Sequence, residues 1–170
     1  PGSARVEELN GLSAPGLLAI VLDVAVDPPL AQAAAERLIT RCSDPDAVML
    51  VGEALSPASG NAAGRTRILN AIAGTWNVPE RLFGPVAELG RRADTATAAT
   101  TLSAVAAFRS IDAARLLVDM TAAERPGPVR AAAFASLIEM TGRDDLGSDP
   151  AAWREWLERA AGLNDAQWKD

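Results

Sequence analysis

Residues 112–142 read DAARLLVDMTAAERPGPVRAAAFASLIEMTG, and this stretch decides the fold. An apolar segment around Leu116 and Leu117 comes first, and an alanine-rich segment that ends at Gly142 comes second. The Pro-Gly-Pro turn at 126–128 separates them, because proline lacks a backbone N–H and glycine is a poor helix former. The stretch therefore predicts two helices joined by a short turn.

The same two-helix pattern recurs along the chain at a regular interval. The second-helix anchors are 34, 33 and 32 residues apart, and the equivalent first-helix core positions are 30, 35 and 31 apart. They are Leu38, Ile72, Val105 and Leu137 in the second helices, and Val21, Val51, Val86 and Leu117 in the first. Such a period is typical of an α-solenoid, because one hairpin cannot bury its apolar stripe alone. A closed helical bundle is the alternative interpretation.

Three motifs in the last third of the chain carry a family resemblance. They are PVR at 128–130, IEMTGRDDLG at 138–147 and DPAAWREW at 149–156. The first opens an alanine-rich helix, the second closes it with Thr-Gly, and the third introduces a tryptophan-bearing helix. Together they resemble the ending of degenerate bacterial HEAT-repeat domains. The resemblance implies an all-α, right-handed α-solenoid of about four HEAT-like helical hairpins with a C-terminal capping helix.

The resemblance also implies roles for particular side chains. In HEAT repeats an arginine seven positions before the second-helix anchor commonly interacts with an acidic residue of the turn. That position holds arginine at Arg65 and Arg130 but alanine at Ala31 and Ala98. Trp153 and Trp156 are expected to pack the capping helix onto the last repeat, since residues three apart share a helix face. An exposed tryptophan pair that binds a partner is the alternative.

The breaks between helices predict the domain limits. We expect a single domain over 4–163, with repeats at about 14–42, 44–75, 79–109 and 111–142 and a capping helix at about 149–162. Residues 1–3 (PGS) look like a tag remnant, and residues 164–170 form a tail. Trp76, between the second and third repeats, is expected to fill the space beneath its loop.

Composition argues against several classes of function. A formal net charge of −6 is unfavourable for nucleic-acid binding, which depends on Lys and Arg at phosphates. One cysteine and no histidine leave almost nothing for a transition-metal site, and no apolar run is long enough to cross a membrane. The acidic loop at 143–149 does not have the spacing of an EF-hand. We therefore expect no metal, no cofactor, no nucleic-acid partner and no membrane insertion.

No catalytic pair can be assembled from the sequence. Histidine is absent, and Cys42 ends an alanine-rich helix where a buried thiol is the ordinary outcome. We therefore predict a non-enzyme that works as a protein-binding or assembly scaffold. The alternatives are a spacer domain in a larger protein or a HEAT-type enzyme, such as a DNA glycosylase or a phycobilin lyase.

In HEAT-type stacks the second helices line the concave side, which gives a candidate partner-binding groove. Its predicted residues are Gln32, Glu36, Arg65, Arg67, Asn70, Thr97, Thr100, Arg130 and Glu139. This mixed polar surface suits a protein segment, and a plain solvated face is the alternative. We expect a protein partner of unknown identity, a monomer or weak dimer, and a bacterial source in which cytoplasm is slightly favoured over periplasm.

Overall fold

The computed structural model describes residues 7–162, and nine α-helices make up most of this range. We number them α1 Ala14–Leu22, α2 Pro28–Thr40, α3 Pro45–Leu55, α4 Ala62–Ala73, α5 Phe83–Arg91, α6 Ala98–Ala106, α7 Ile111–Asp119, α8 Gly127–Thr141 and α9 Pro150–Ala160. Short 3-10 turns lie at Leu9–Gly11, Pro57–Ser59, Glu80–Leu82 and Asp144–Leu146. No strand occurs within residues 7–162, which confirms the all-α class. The right-handed solenoid and the count of four hairpins stay predictions.

Polar caps and prolines set where the helices begin. The Asp44 and Asp149 carboxylates accept from backbone N–H groups of the first turns of α3 and α9, and Pro45 and Pro150 follow them. The side chains of Ser13, Asn61 and Ser110 cap α1, α4 and α7 in the same way. Each such cap stabilises a helix by about 0.5–2 kcal/mol. The predicted start of the tryptophan helix, Asp149 followed by Pro150, is confirmed.

Gly142 ends α8 in the left-handed conformation, with φ 70° and ψ 10°. Its N–H donates to the Ile138 carbonyl at 2.7 Å. A Cβ at Gly142 would meet nothing within 4 Å, so the backbone conformation alone favours glycine there. The predicted glycine stop at this position is confirmed.

Gly142→Ala is expected to lower the free energy of unfolding by about 1 kcal/mol, because an L-residue is strained at this φ. Urea denaturation followed by circular dichroism measures the change. Gly84→Ala is the matched control, since a Cβ at Gly84 in α5 also meets nothing within 4 Å and its φ lies outside the left-handed region. The control should be neutral or stabilising, and an equal loss in both variants would contradict this explanation.

The chain divides into two compact units, Pro1–Val86 and Ala87–Asp170. In the first unit α1 packs against α2, α3 and α4, and α4 also contacts α2 and α3. In the second unit α6, α7 and α8 all pack against one another, and α9 packs against α7. Second helices of successive predicted hairpins therefore touch within each unit, α2 with α4 and α6 with α8. The single domain over 4–163 and its repeat limits stay predictions; residues 1–3 and the tail 164–170 lie outside the described residues.

The core follows the repeat. All eight predicted core positions are fully buried, at 0% exposure: Val21, Leu38, Val51, Ile72, Val86, Val105, Leu117 and Leu137. Because aliphatic burial is the main stabilising contribution to folding, the repeat period read from the sequence identifies the residues that hold each unit together. These core predictions are confirmed.

Trp153 anchors α9 within the second unit. Its side chain is completely buried, and the indole Nε1–H donates to the Gly147 carbonyl at 2.9 Å. Trp156 is half-buried and meets Trp153 edge-on, with ring centroids 5.4 Å apart. The large apolar ring and its hydrogen bond fasten both α9 and the loop that precedes it.

Candidate partner-binding surface

The predicted groove residues fall into two groups, one in each unit. Gln32 and Glu36 lie on α2 and Arg65, Arg67 and Asn70 on α4, whereas Thr97 and Thr100 lie at the start of α6 and Arg130 and Glu139 on α8. Glu36, Asn70, Thr97 and Glu139 are exposed, and the other five are half-buried. We describe each group by itself.

Each second helix leaves one narrow stripe open to solvent. The exposed positions on α4 include Ala63, Thr66 and Asn70, and those on α8 include Ala131, Ala135 and Glu139. Steps of three and four residues keep these side chains on one helix face. The exposed positions on α2 include Glu36 and Thr40, and the one on α6 is Ala99. We call the exposed positions of α2 and α4 in the first unit and of α6 and α8 in the second the second-helix surface; its side chains are mostly small or uncharged.

Arg67 has a structural role that the sequence analysis did not predict. Its Nη1 donates to the Val21 carbonyl at 2.7 Å and to the Asp23 carbonyl at 2.9 Å, at the C-terminal end of α1. Asn61 Nδ2 donates to the intervening Leu22 carbonyl at 2.8 Å. Two side chains therefore satisfy three consecutive carbonyls that α1 leaves without helical partners.

Arg65 and Arg130, which occupy equivalent repeat positions, make equivalent bonds. Arg65 Nη1 donates to the Ser56 carbonyl at 3.3 Å, and Arg130 Nε donates to the Thr121 carbonyl at 3.3 Å. Each acceptor lies nine residues upstream, just past the end of the first helix of the same hairpin. The family resemblance implied an acidic side chain as the partner; the structure shows a backbone carbonyl instead.

An arginine thus meets the C-terminal end of every first helix. Arg67 serves α1, Arg65 serves α3 and Arg130 serves α7, while Arg125 Nη1 reaches the Arg91 carbonyl at the end of α5, at 3.5 Å. A guanidinium is favoured there because the carbonyl end of a helix carries partial negative charge. All four are half-buried, and three of them, Arg65, Arg67 and Arg130, are predicted groove residues whose hydrogen bonds hold the hairpins together.

The sequence matches no protein-family model, no curated protein and no solved structure. The HEAT resemblance therefore stays a prediction.

Thr97 and Gln32 also have partners inside the chain. Thr97 Oγ1 donates to the Asp94 carboxylate at 2.8 Å, and the Thr97 N–H donates to the same oxygen at 2.9 Å. Both hydrogen bonds lower the pKa of Asp94, and the one from the Thr97 hydroxyl has the larger effect. Gln32 Nε2 donates to Glu36 Oε1 at 3.4 Å, one helical turn away. Among the predicted groove residues, Asn70, Thr100 and Glu139 have side chains without a hydrogen bond to another described residue.

A groove that the sequence analysis missed lies in the second unit, where α9 packs against α7. Its volume is about 400 Å³. It is lined by Val118, Asp119, Ala122, Glu124, Arg125, Arg154, Leu157 and Glu158. Val118 is buried, and the lining combines charged side chains with apolar ones.

Large exposed apolar side chains lie in the first unit. Trp76 is 72% exposed, Met49 on α3 is 57% exposed and Val24 is 76% exposed. The prediction that Trp76 fills the space beneath its loop is therefore wrong. Trp76 lies between α4 and the 3-10 turn Glu80–Leu82, outside the helices.

Cys42 is an inert thiol at neutral pH. It is 1% exposed, and burial raises its pKa to about 11. Its Sγ–H donates to the Leu38 carbonyl at 3.4 Å, one turn back along the chain. Reactivity requires a thiolate, so the geometry and the protonation state both assign Cys42 to packing.

No group of three or more Cys, Asp or Glu side chains within residues 7–162 is placed to hold a metal ion. No helix in the same range is long and apolar enough to span a membrane.

Proposed function

We propose that this chain is a non-catalytic protein-binding module, built as a HEAT-like α-solenoid of about four hairpins, and that it binds its partner through the second-helix surface. Its mechanism is passive. A preformed surface lowers the ordering cost of association, since the side chains and backbone on one side are already fixed.

One observation carries the proposal: the exposed stripes of α3 and α7 differ in composition from those of the second helices. Charged side chains dominate these two first-helix stripes, with Asp46, Met49 and Glu53 on α3 and Asp112, Arg115 and Asp119 on α7, whereas α1 exposes only Pro15 and Ala19. The second-helix stripes carry alanine, threonine and asparagine, with Glu36 and Glu139 as widely spaced charges. Small, weakly charged side chains let another backbone approach at low cost in desolvation and side-chain entropy.

The arginine bonds support the same assignment. Arg65, Arg67 and Arg130 hold the ends of the first helices, so the second helices that carry them are fixed against their neighbours. Within each unit, this fixed placement makes the stripes a rigid docking surface.

The test is capture by photo-crosslinking in cells of the source organism. A photoreactive amino acid is placed at Asn70 or Glu139 on the second-helix surface, or at Glu53 on α3 as the comparison site. We expect a discrete crosslinked protein from the first two positions and none from the third. Crosslinks from Glu53 alone would move the binding surface to the first helices, and no specific crosslink from any position would support the spacer alternative.

A charge-matched pair of variants controls for net charge. The combination Glu36→Arg, Asn70→Arg and Glu139→Arg should abolish capture, whereas Ala19→Arg, Asp46→Arg and Glu53→Arg, with the same total charge change, should retain it. All six positions are exposed. The capping arginines are left intact, since changing them would confuse binding with stability. Circular dichroism confirms equal helicity before the comparison.

A further inference from the structure

Positive and negative side chains are used differently in this chain. Among the described residues, the arginines without a hydrogen bond or ion pair are Arg81 and Arg154. Carboxylates without such a partner in the same range include those of Asp46, Glu53, Glu80, Asp119, Glu124, Glu139, Asp144 and Glu158. Most guanidinium groups are held in internal hydrogen bonds or ion pairs, whereas many carboxylates are not, and the formal net charge of the chain is −6.

The groove of the second unit brings three of these carboxylates around apolar side chains. Asp119 comes from the end of α7, Glu124 from the turn before α8, and Glu158 from α9. Val118, Ala122 and Leu157 are the apolar side chains of the lining, which we call the floor. The guanidiniums of Arg125 and Arg154 also line the groove, so its three carboxylates exceed its cations by one charge. Arg125 is held by a hydrogen bond to the Arg91 carbonyl, whereas Arg154 has no hydrogen bond or ion pair with another described residue.

A groove that combines carboxylates with apolar side chains favours an organic cation as its ligand. A metal ion needs several ligands converging at a short distance, and no such group lies within residues 7–162. A lysine or arginine side chain has an apolar stem several carbons long and a charged end. It can therefore contact the floor and the carboxylates at once, which a compact inorganic cation cannot do.

We propose that this groove takes an arginine or lysine side chain of a basic segment of the partner protein, the stem lying on Leu157 and Val118 and the cation meeting Asp119, Glu124 and Glu158. The inference rests on the proposed function, for which it specifies the chemical class of the partner. Charge complementarity favours this occupant over an acidic segment.

Arg154 predicts a change in binding in the opposite direction to that of the carboxylates. Its guanidinium lies at the groove beside the carboxylates and repels an incoming cation. Removing that charge should therefore strengthen binding of a basic segment, even though the substitution adds no new contact. Arg154→Gln is the appropriate change, because Arg154 is exposed and no hydrogen bond or ion pair links it to another described residue.

The test uses the full chain and the blocked peptide acetyl-Gly-Arg-Leu-Arg-Gly-amide. Titration followed by ¹⁵N–¹H NMR should shift the amide signals of Ala122 and Leu157, with a Kd of about 1 mM for so short a probe. Raising NaCl to about 0.5 M should weaken the binding by screening. The same peptide with Glu in place of Arg should leave these signals unmoved.

Variants make the result specific. Glu158→Arg should remove the shifts, and Arg154→Gln should tighten binding about threefold. Asp144→Arg is the matched control, because Asp144 is also an exposed carboxylate without a described partner but lies outside the groove. Equal weakening by Asp144→Arg and Glu158→Arg, shifts spread away from the groove, or no strengthening by Arg154→Gln would each overturn the proposal.

The two proposals can fail separately. A protein crosslinked at Asn70 or Glu139, with no peptide binding in the groove, would retain the binding function and reject the basic side chain at this site. Peptide binding in the groove, with no crosslinked partner, would retain the cation site and reject the second-helix surface.

Discussion

Trp153→Ala is expected to lower the free energy of unfolding by about 3–5 kcal/mol, the largest effect of any single change considered for this chain. Trp153 is 0% exposed, so removal of the indole leaves a large cavity beneath α9. The change also leaves the Gly147 carbonyl without its indole donor. Urea denaturation followed by circular dichroism measures the loss.

Two further variants separate burial from the hydrogen bond. Trp153→Phe keeps much of the ring and should cost about 1–3 kcal/mol through the lost donor and the smaller volume. Trp76→Ala is the exposed control and should change the free energy by about 0.5 kcal/mol or less beyond any contact made by its ring. Comparable losses for Trp153→Ala and Trp76→Ala would contradict the role of Trp153 as the anchor of α9.

Arg67→Met is expected to lower the free energy of unfolding by about 2–3 kcal/mol. The methionine retains an apolar stem of similar reach but cannot donate to the Val21 and Asp23 carbonyls, which then lose a charged partner at the negative end of α1. Thermal and urea denaturation measure the change, and hydrogen exchange should show faster opening of α1.

Arg81→Met supplies the matched comparison. Arg81 is exposed and has no hydrogen bond or ion pair with another described residue, so its replacement should change stability by about 0.5 kcal/mol or less. Arg67→Lys should recover part of the loss, since an ammonium group can donate to one carbonyl but lacks the guanidinium geometry. If both methionine variants were equally stable, Arg67 would not be fixing α1.

The class and the core of this protein could be predicted from sequence because both depend on local periodicity. The recurrence that aligns Leu38 with Leu137 reports which face of each helix is apolar, and those residues are buried. The helix start at Asp149 and the stop at Gly142 were predictable for the same reason, since capping is decided within one turn of the chain.

The arginine bonds were not predictable, because they depend on tertiary contacts. Arg67 and its acceptor Val21 are 46 residues apart, and nothing near Arg67 marks it as a capping side chain. The repeat register did bring Arg65 and Arg130 together as equivalents, but it could not say that a carbonyl would be their partner. The role of Thr97 could have been predicted, because the Asp94-x-x-Thr97 spacing is a local capping signal. Thr97 was assigned to the groove instead.

The groove of the second unit could not be found from sequence either. Asp119 and Glu158 are 39 positions apart, and they line one groove because α9 docks on α7. The tryptophan motif predicted that a terminal helix would dock, but it did not specify the charged residues that its docking brings together.

The central claim, that the second-helix surface binds a protein partner, is tested most directly by hydrogen–deuterium exchange of the chain with and without the protein that crosslinks to it. We predict slower amide exchange in three second helices, which are Pro28–Thr40 and Ala62–Ala73 in the first unit and Gly127–Thr141 in the second. Exchange in the first helix Pro45–Leu55 should change little. Slower exchange confined to the first helices, or no change in any helix, would contradict it.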